Sequence, residues 1–113
     1  MRIVITVNVA WNIWNFRRSL VEALLEDGHD VTILAPADHT VDDLKALGCM
    51  FEPLDMNRKG LNPIEDSALA LRMRKAFKQI NPDIVLSFTI KNNLFGALAS
   101  RGMRHAFIPN VTG

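Results

Sequence analysis

The sequence has little cysteine, no charge excess and no long apolar run, and each lack narrows the field. The single cysteine, Cys49, cannot form a disulfide within the chain and suits a reducing compartment. It stands in the apolar run Cys49-Met50-Phe51, where a thiol is expected to be buried and inert rather than nucleophilic. With 13 basic and 12 acidic residues the formal net charge is +1, so nothing global attracts nucleic acid. Any electrostatic role must come from local clusters. No stretch reaches membrane-spanning length, and Met1-Arg2-Ile3-Val4-Ile5-Thr6-Val7 lacks a signal peptide's long apolar core and cleavage site. A cytoplasmic protein is the expectation. Internal repeats, low-complexity segments and linkers are lacking too, and 113 residues fit one compact domain.

What is present is an alternation of short β-rich runs with helical ones, which predicts an α/β fold with a parallel sheet covered on both faces. Ile3 to Val7 is almost wholly apolar, as a strand buried on both faces should be. A helix is predicted over Ile13 to Asp27, with Phe16, Leu20, Ala23 and Leu24 on its apolar face and Gly28 as its left-handed cap. Val31 to Ala35 reads as the second strand. Thr40 and Asp43 resemble a capping box for a short helix ending at Gly48. Cys49 to Leu54 reads as a third strand, placed at a sheet edge by Pro53. Asn62-Pro63 opens a helix carrying Leu69, Met73, Ala76, Phe77 and Ile80 along one side, and Asn81-Pro82 ends it. Ile84 to Phe88, a helix over Asn92 to Arg101, and Ala106 to Ile108 complete the pattern. Five strands with right-handed crossovers give a doubly wound, Rossmann-like sheet ordered 3-2-1-4-5. Its ligand crevice should lie beyond the carboxyl ends of the strands, between strands one and four.

The loops at that edge carry the chemistry. Asn8 to Arg17, after the first strand, has no glycine, which argues against a nicotinamide, flavin or Walker-type phosphate site. It holds both tryptophans and three asparagines, Asn8, Asn12 and Asn15. Indole faces stack on sugars and amides hydrogen-bond hydroxyls, although a core Trp and capping Asn residues would use the same side chains structurally. After the third strand, Arg58 and Lys59 precede Gly60 and a helix start, the makings of an anion site or of a solvated basic turn. Ser87-Phe88-Thr89-Ile90-Lys91-Asn92-Asn93 follows the fourth strand and puts a hydroxyl, a cation and amides where a helix begins. The chain closes on Pro109-Asn110-Val111-Thr112-Gly113.

Four blocks, Asn12-Ile13-Trp14-Asn15-Phe16-Arg17, Arg58-Lys59-Gly60-Leu61-Asn62-Pro63, Ser87 to Asn93 and Asn110-Val111-Thr112-Gly113, resemble the N-terminal domain of family 4 glycosyltransferases of the GT-B fold. Gly28-His29-Asp30-Val31 is similar to the GH(E/D)V that joins the first helix to the second strand there. The likeness is greatest to the branch that extends polyprenyl-diphosphate-linked sugars in capsule, O-antigen and glycoprotein glycan synthesis. Asn92 departs from that branch, which has proline after the lysine, and this bears on loop stiffness. The resemblance implies that residues 1–113 are an acceptor-side domain cut off before a C-terminal donor-binding domain, and inactive alone. It implies a metal-independent transferase with no cofactor, using a nucleotide sugar and a polyprenyl-diphosphate-linked saccharide. Asn12, Trp14, Asn15 and Arg17 would line the cleft; Arg58, Lys59 and Lys91 would meet acceptor phosphate; Thr89, Asn93, Asn110 and Thr112 would bind hydroxyls. No residue is assigned as the catalytic base, and His29, His39 and His105 read as structural or solvated.

Arg72, Arg74, Lys75 and Lys78 are expected on the face of their helix opposite Leu69 and Met73, where they could approach anionic lipid or simply be solvated. Two other readings share the architecture. One is half of a sugar-nucleotide 2-epimerase, the other a stand-alone flavodoxin-like binding domain. A receiver-type domain would want clustered acids after the first strand, and this loop is uncharged up to Arg17.

Overall fold

The structure, a computed structural model, describes residues 1–57, 60 and 62–110. The elements run β1 (Arg2–Thr6), α1 (Ala10–Phe16), α2 (Arg18–Glu26), β2 (Asp30–Ala35), α3 (Val41–Leu47), β3 (Met50–Pro53), α4 (Pro63–Ile80), β4 (Ile84–Phe88), α5 (Ile90–Ala99) and β5 (Ala106–Asn110). All strand pairs are parallel and the order is β3-β2-β1-β4-β5, as the alternation predicts. Ile3 pairs with Val31 on one side and Ile84 on the other, which makes β1 the central strand.

Strand alternation deals the core into two layers. Ile3, Ile5 and Ile33 pack with Ile13, Val21 and Leu44 on the face covered by α1, α2 and α3. Val4, Leu34 and Val85 pack with Leu69, Met73, Phe77 and Ala99 on the face covered by α4 and α5. Burial on both faces is why Ile3 to Thr6 of β1 are apolar residues and a threonine, with Arg2 exposed at the strand's start.

The predicted first helix is two helices. Arg17 leaves helical geometry at φ −125°, ψ 11°, so the apolar face does not continue across it. Phe16, expected in the core, is 59% exposed and Ala23 is exposed, while Ile13 and Val21 are buried. The reading of Thr40 as a capping box is also corrected. Its hydroxyl donates to Asp38 Oδ1 at 2.6 Å, and no side-chain cap bonds the start of α3. By contrast Asn62 caps α4 as expected, accepting from the N–H groups of Ile64 and Glu65 at 3.1 and 3.2 Å. Asn81 ends that helix in the left-handed region at φ 54°.

The basic face of α4 is partly consumed within the fold. Arg74 Nη1 donates to the carbonyls of Ala99 and Arg101 at 3.0 and 2.7 Å, closing the carboxyl end of α5. Arg72 Nε donates to the Asp55 carbonyl at 3.0 Å. Lys75 and Lys78 remain exposed.

Gly96 is where α5 meets β5. A Cβ there would stand 2.6 and 2.8 Å from ring carbons of Phe107 and 3.1 Å from Met73 Cε. Gly96→Ala is therefore expected to cost about 1–3 kcal/mol through overpacking, read as a lower urea midpoint at an unchanged slope. Cys49 is buried, which pushes its thiol up to about 11. In the folded protein it should resist alkylation at pH 8 and react promptly once urea unfolds the chain.

Candidate functional site

The carboxyl edge between β1 and β4 is built around one buried amide. Asn92, in the first turn of α5, donates through Nδ2 to Thr6 Oγ1 at 2.8 Å and accepts at Oδ1 from Thr89 Oγ1 at 2.9 Å. Thr6 ends β1 and Thr89 joins β4 to α5, so these two bonds lock the switch point together. Thr89 has φ 76°, ψ 150°, a conformation that a β-branched residue adopts at a cost of about 1–3 kcal/mol.

Around this clamp lie polar atoms that the fold does not satisfy. Among the described residues, four buried side-chain atoms have no hydrogen-bond partner: Asn8 Oδ1, Arg17 Nε, Ser87 Oγ and Asn93 Oδ1. Ser87 lies near the end of β4 and Asn93 in the helix that follows it, while Asn8 follows β1 and Arg17 follows α1. Buried polar groups elsewhere in a native protein are almost always paired, so such a group at one edge points to a ligand. The guanidinium of Arg17 rests on Phe88, its carbon 4.6 Å from the ring centroid. Asn93 Nδ2 donates to the Asn110 carbonyl at 2.9 Å, and Asn110 Nδ2 donates to the Ser87 carbonyl at 3.2 Å. Ser87, Asn93 and Asn110 therefore form one connected unit.

The other sequence-predicted residues fall as follows. Lys91 is engaged: Nζ lies 3.1 Å from Asp66 Oδ1 and donates to the Asn57 carbonyl at 2.6 Å, with the two ion-pair side chains 12% and 7% exposed. It ties the β4–α5 turn to the start of α4. Burial raises the Asp66 carboxyl, but the hydrogen bond and charge of Lys91 and the Asn62 N–H outweigh it and hold the group below the usual range. Trp14 is half-buried against the core, its outer face stacked on the Arg18 guanidinium at 4.3 Å. Asn12 is half-buried and Asn15 exposed. Arg58, Lys59 and Thr112 lie outside the described residues.

Sequence reasoning named Trp11 and Asn8 in the loop without assigning them to the cleft, and missed the pairing of Asn92. Trp11 is the exposed indole of the loop, edge-on to Phe16 at 5.5 Å. Its backbone N–H donates to Asp38 Oδ2 at 2.7 Å, so a carboxylate already serves the start of α1. Partial burial raises the Asp38 carboxyl, but the Thr40 hydroxyl, the Thr40 and Trp11 N–H groups and the His39 charge outweigh it and hold the group below the usual range. His105 is structural, with Nε2 2.7 Å from Ser100 Oγ and its ring edge-on to Phe77.

A family profile described as glycosyl transferase 4-like matches residues 2–113. The chain belongs to the glycosyl transferase 4-like family. The N,N'-diacetylbacillosaminyl-diphospho-undecaprenol alpha-1,3-N-acetylgalactosaminyltransferase of Campylobacter jejuni is 29% identical over 101 residues, covering 89% of this chain and 27% of that enzyme. The chain thus spans little more than a quarter of that relative's length. A glycosyltransferase from Rickettsia africae superposes with a TM-score of 0.76 at 22% identity, over 96% of this chain and 28% of that one. A UDP-N-acetylglucosamine 2-epimerase superposes with a TM-score of 0.69 at 19% identity, over 96% and 32%. These superpositions establish the shared fold. In this glycosyl transferase 4-like chain no helix among the described residues is long and apolar enough to cross a membrane.

The ion pair gives this family member a testable acid response. Because the Asp66 pKa is lowered on folding, its contribution is complete above the ordinary carboxylate range and is lost as pH falls through the lowered value. Lys91→Met removes the main lowering cause and leaves burial opposed only by the Asn62 N–H. The Asp66 carboxyl, followed by carbon-13 NMR, should then titrate at higher pH than in the parent protein.

Proposed function

We propose that this chain is the acceptor side of a glycosyltransferase that moves a sugar from a nucleotide sugar to a lipid-linked saccharide. The observation that carries the reading is the set of unpaired polar atoms at the carboxyl edge, Asn8 Oδ1, Arg17 Nε, Ser87 Oγ and Asn93 Oδ1. Two acceptors, a donor and a hydroxyl suit a polyhydroxylated ligand better than an apolar or purely anionic one. The Campylobacter relative, whose name specifies an undecaprenol-linked acceptor, supports the lipid-linked class. The donor's nucleotide would be gripped by further polypeptide, since the first loop has no glycine and the start of α1 is already served by Asp38. Residues 1–113 alone would not hold donor and acceptor in reacting geometry, a loss worth roughly 7–11 kcal/mol of barrier reduction.

In this reading Asn12, Asn15 and Arg17 line the cleft with Trp11 and Trp14, while Asn93 and Asn110 meet hydroxyls. Lys75 and Lys78 are the residues left to approach anionic lipid, each contributing about 1 kcal/mol at most. The epimerase half shares the fold and not the profile's transferase description.

Calorimetric titration decides the matter. A short-chain polyprenyl-diphosphate N-acetylhexosamine should bind, and Asn93→Ala should weaken it about tenfold by deleting one hydrogen bond. Nucleotide sugars should bind weakly. Micromolar binding of a nucleotide sugar with no response to the lipid-linked sugar would reverse the assignment.

A further inference from the structure

The start of α5 differs in chemistry from the rest of the cleft. Its flanking residue, Thr89, does not cap it, because the Thr89 hydroxyl is donated to Asn92 Oδ1 instead. The first helical hydrogen bond closes from the Asn93 N–H to the Thr89 carbonyl at 2.9 Å, leaving the preceding N–H groups as the free donors of a helix end. No acidic residue stands in this first turn, and Lys91 does. A separate observation points to a ligand. Ser87 is 0% exposed, yet its Oγ has no partner. By strand alternation Ser87 shares with Val85 the sheet face that α5 covers, two residues before the helix entry. A buried hydroxyl, free amides and the positive end of a ten-residue helix thus belong to one short crossover.

We propose that this place seats a phosphate group of the ligand, specifically one phosphate of a diphosphate ester. The inference rests on the acceptor reading above and deepens it. Phosphate oxygens accept from the amides of Ile90 and Lys91 and from the Ser87 hydroxyl, while the Lys91 charge supports them from its place beside Asp66. Asn93 has a different task. Its NH₂ is spent on the Asn110 carbonyl, so its unpaired oxygen asks for a hydrogen-bond donor, which a sugar offers and an ionised phosphate does not. The equivalent place across the switch point, the start of α1, is closed to an anion by the Asp38 carboxylate. The seat is therefore on the β4 side.

The test is a nitrogen-15 NMR titration of the chain with inorganic pyrophosphate, geranyl diphosphate and UDP. The amides of Ile90, Lys91 and Asn92 should shift saturably. Ile90 is 84% exposed, so Ile90→Asp removes no packing and places a carboxylate where the helix favours one. That variant should keep or raise its melting temperature while binding of every diphosphate falls at least tenfold. Ser87→Ala should weaken binding severalfold without altering the α5 shifts of the free protein. Unchanged binding by Ile90→Asp, or no response to any of the three probes, overturns the seat. Geranyl diphosphate binding that shifts only amides away from residues 90–92 also overturns it, and leaves the acceptor reading standing. UDP binding tenfold tighter than geranyl diphosphate at these same amides keeps the seat and overturns the acceptor reading. Geranyl diphosphate binding at least as well as UDP supports both.

Discussion

The site depends on the Asn92 side chain. Fully buried and bonded to both Thr6 and Thr89, it joins the end of the central strand to the entry of α5 across 86 residues of sequence. Without it, the buried Thr6 hydroxyl would lose its partner, at a cost of about 1–3 kcal/mol, and the half-buried Thr89 hydroxyl would lose its own. It also holds Thr89 at a positive φ that a threonine would otherwise leave. The backbone strain and the hydrogen bonds that maintain it are two parts of one arrangement. Their joint product is a helix start held open, with its amides uncapped.

The two ends of the sheet are finished differently. At the amino end the backbone is sealed: Asp83 Oδ2 accepts from the Arg2 N–H at 2.8 Å, the Asp83 N–H donates to the Arg2 carbonyl, and the Ala106 N–H donates to the Asp83 carbonyl. At the carboxyl end, Asn8, Arg17, Ser87 and Asn93 each keep an unpaired polar atom. The two apolar layers supply the stability that lets one end carry this deficit.

The fold was legible because its signals are local. Apolar runs mark β1 and β4, Gly28 and Asn81 mark helix ends, and Asn62-Pro63 marks a helix start, each within a few residues. The break at Arg17 was not legible, because Phe16 and Leu20 keep helical spacing whether or not the helix runs on between them. Thr40 misled for a similar reason, since its competitor Asp38 lies only two residues back and outbids the helix for the hydroxyl. In the site, residue types were legible and their pairings were not. Lys91 reads as a free cation until the fold brings Asp66 to 3.1 Å, and Asn92 reads as a deviation from a proline until it is seen bridging to Thr6. Such partners come from other crossovers, and no window of sequence contains them.

The placement of charge explains how a sheet shared by transferases and an epimerase can be adapted to one ligand. Both crossovers that flank the switch point, β1 to α1 and β4 to α5, aim a helix start at the crevice, and either could receive a phosphate. Dinucleotide sites use the first and clear it with glycines. Here the first loop has large side chains and no glycine, and Asp38 reaches across from the end of β2 to take the Trp11 N–H. A carboxylate there satisfies the helix and repels a second anion. The β4 crossover has the reverse composition: no acid in the first turn of α5, a lysine, an uncapped helix start and a buried unpaired hydroxyl. Among the described residues Asp66 is the one carboxylate bonded to this crossover, where it meets the Lys91 side chain and draws part of the cation's field without contacting the helix amides. The polarity of the crevice is thus set by which helix start has its own carboxylate. In the proposed reading an anion sits beside β4 and the β1 side is left to indoles and amides, the surface a neutral sugar needs.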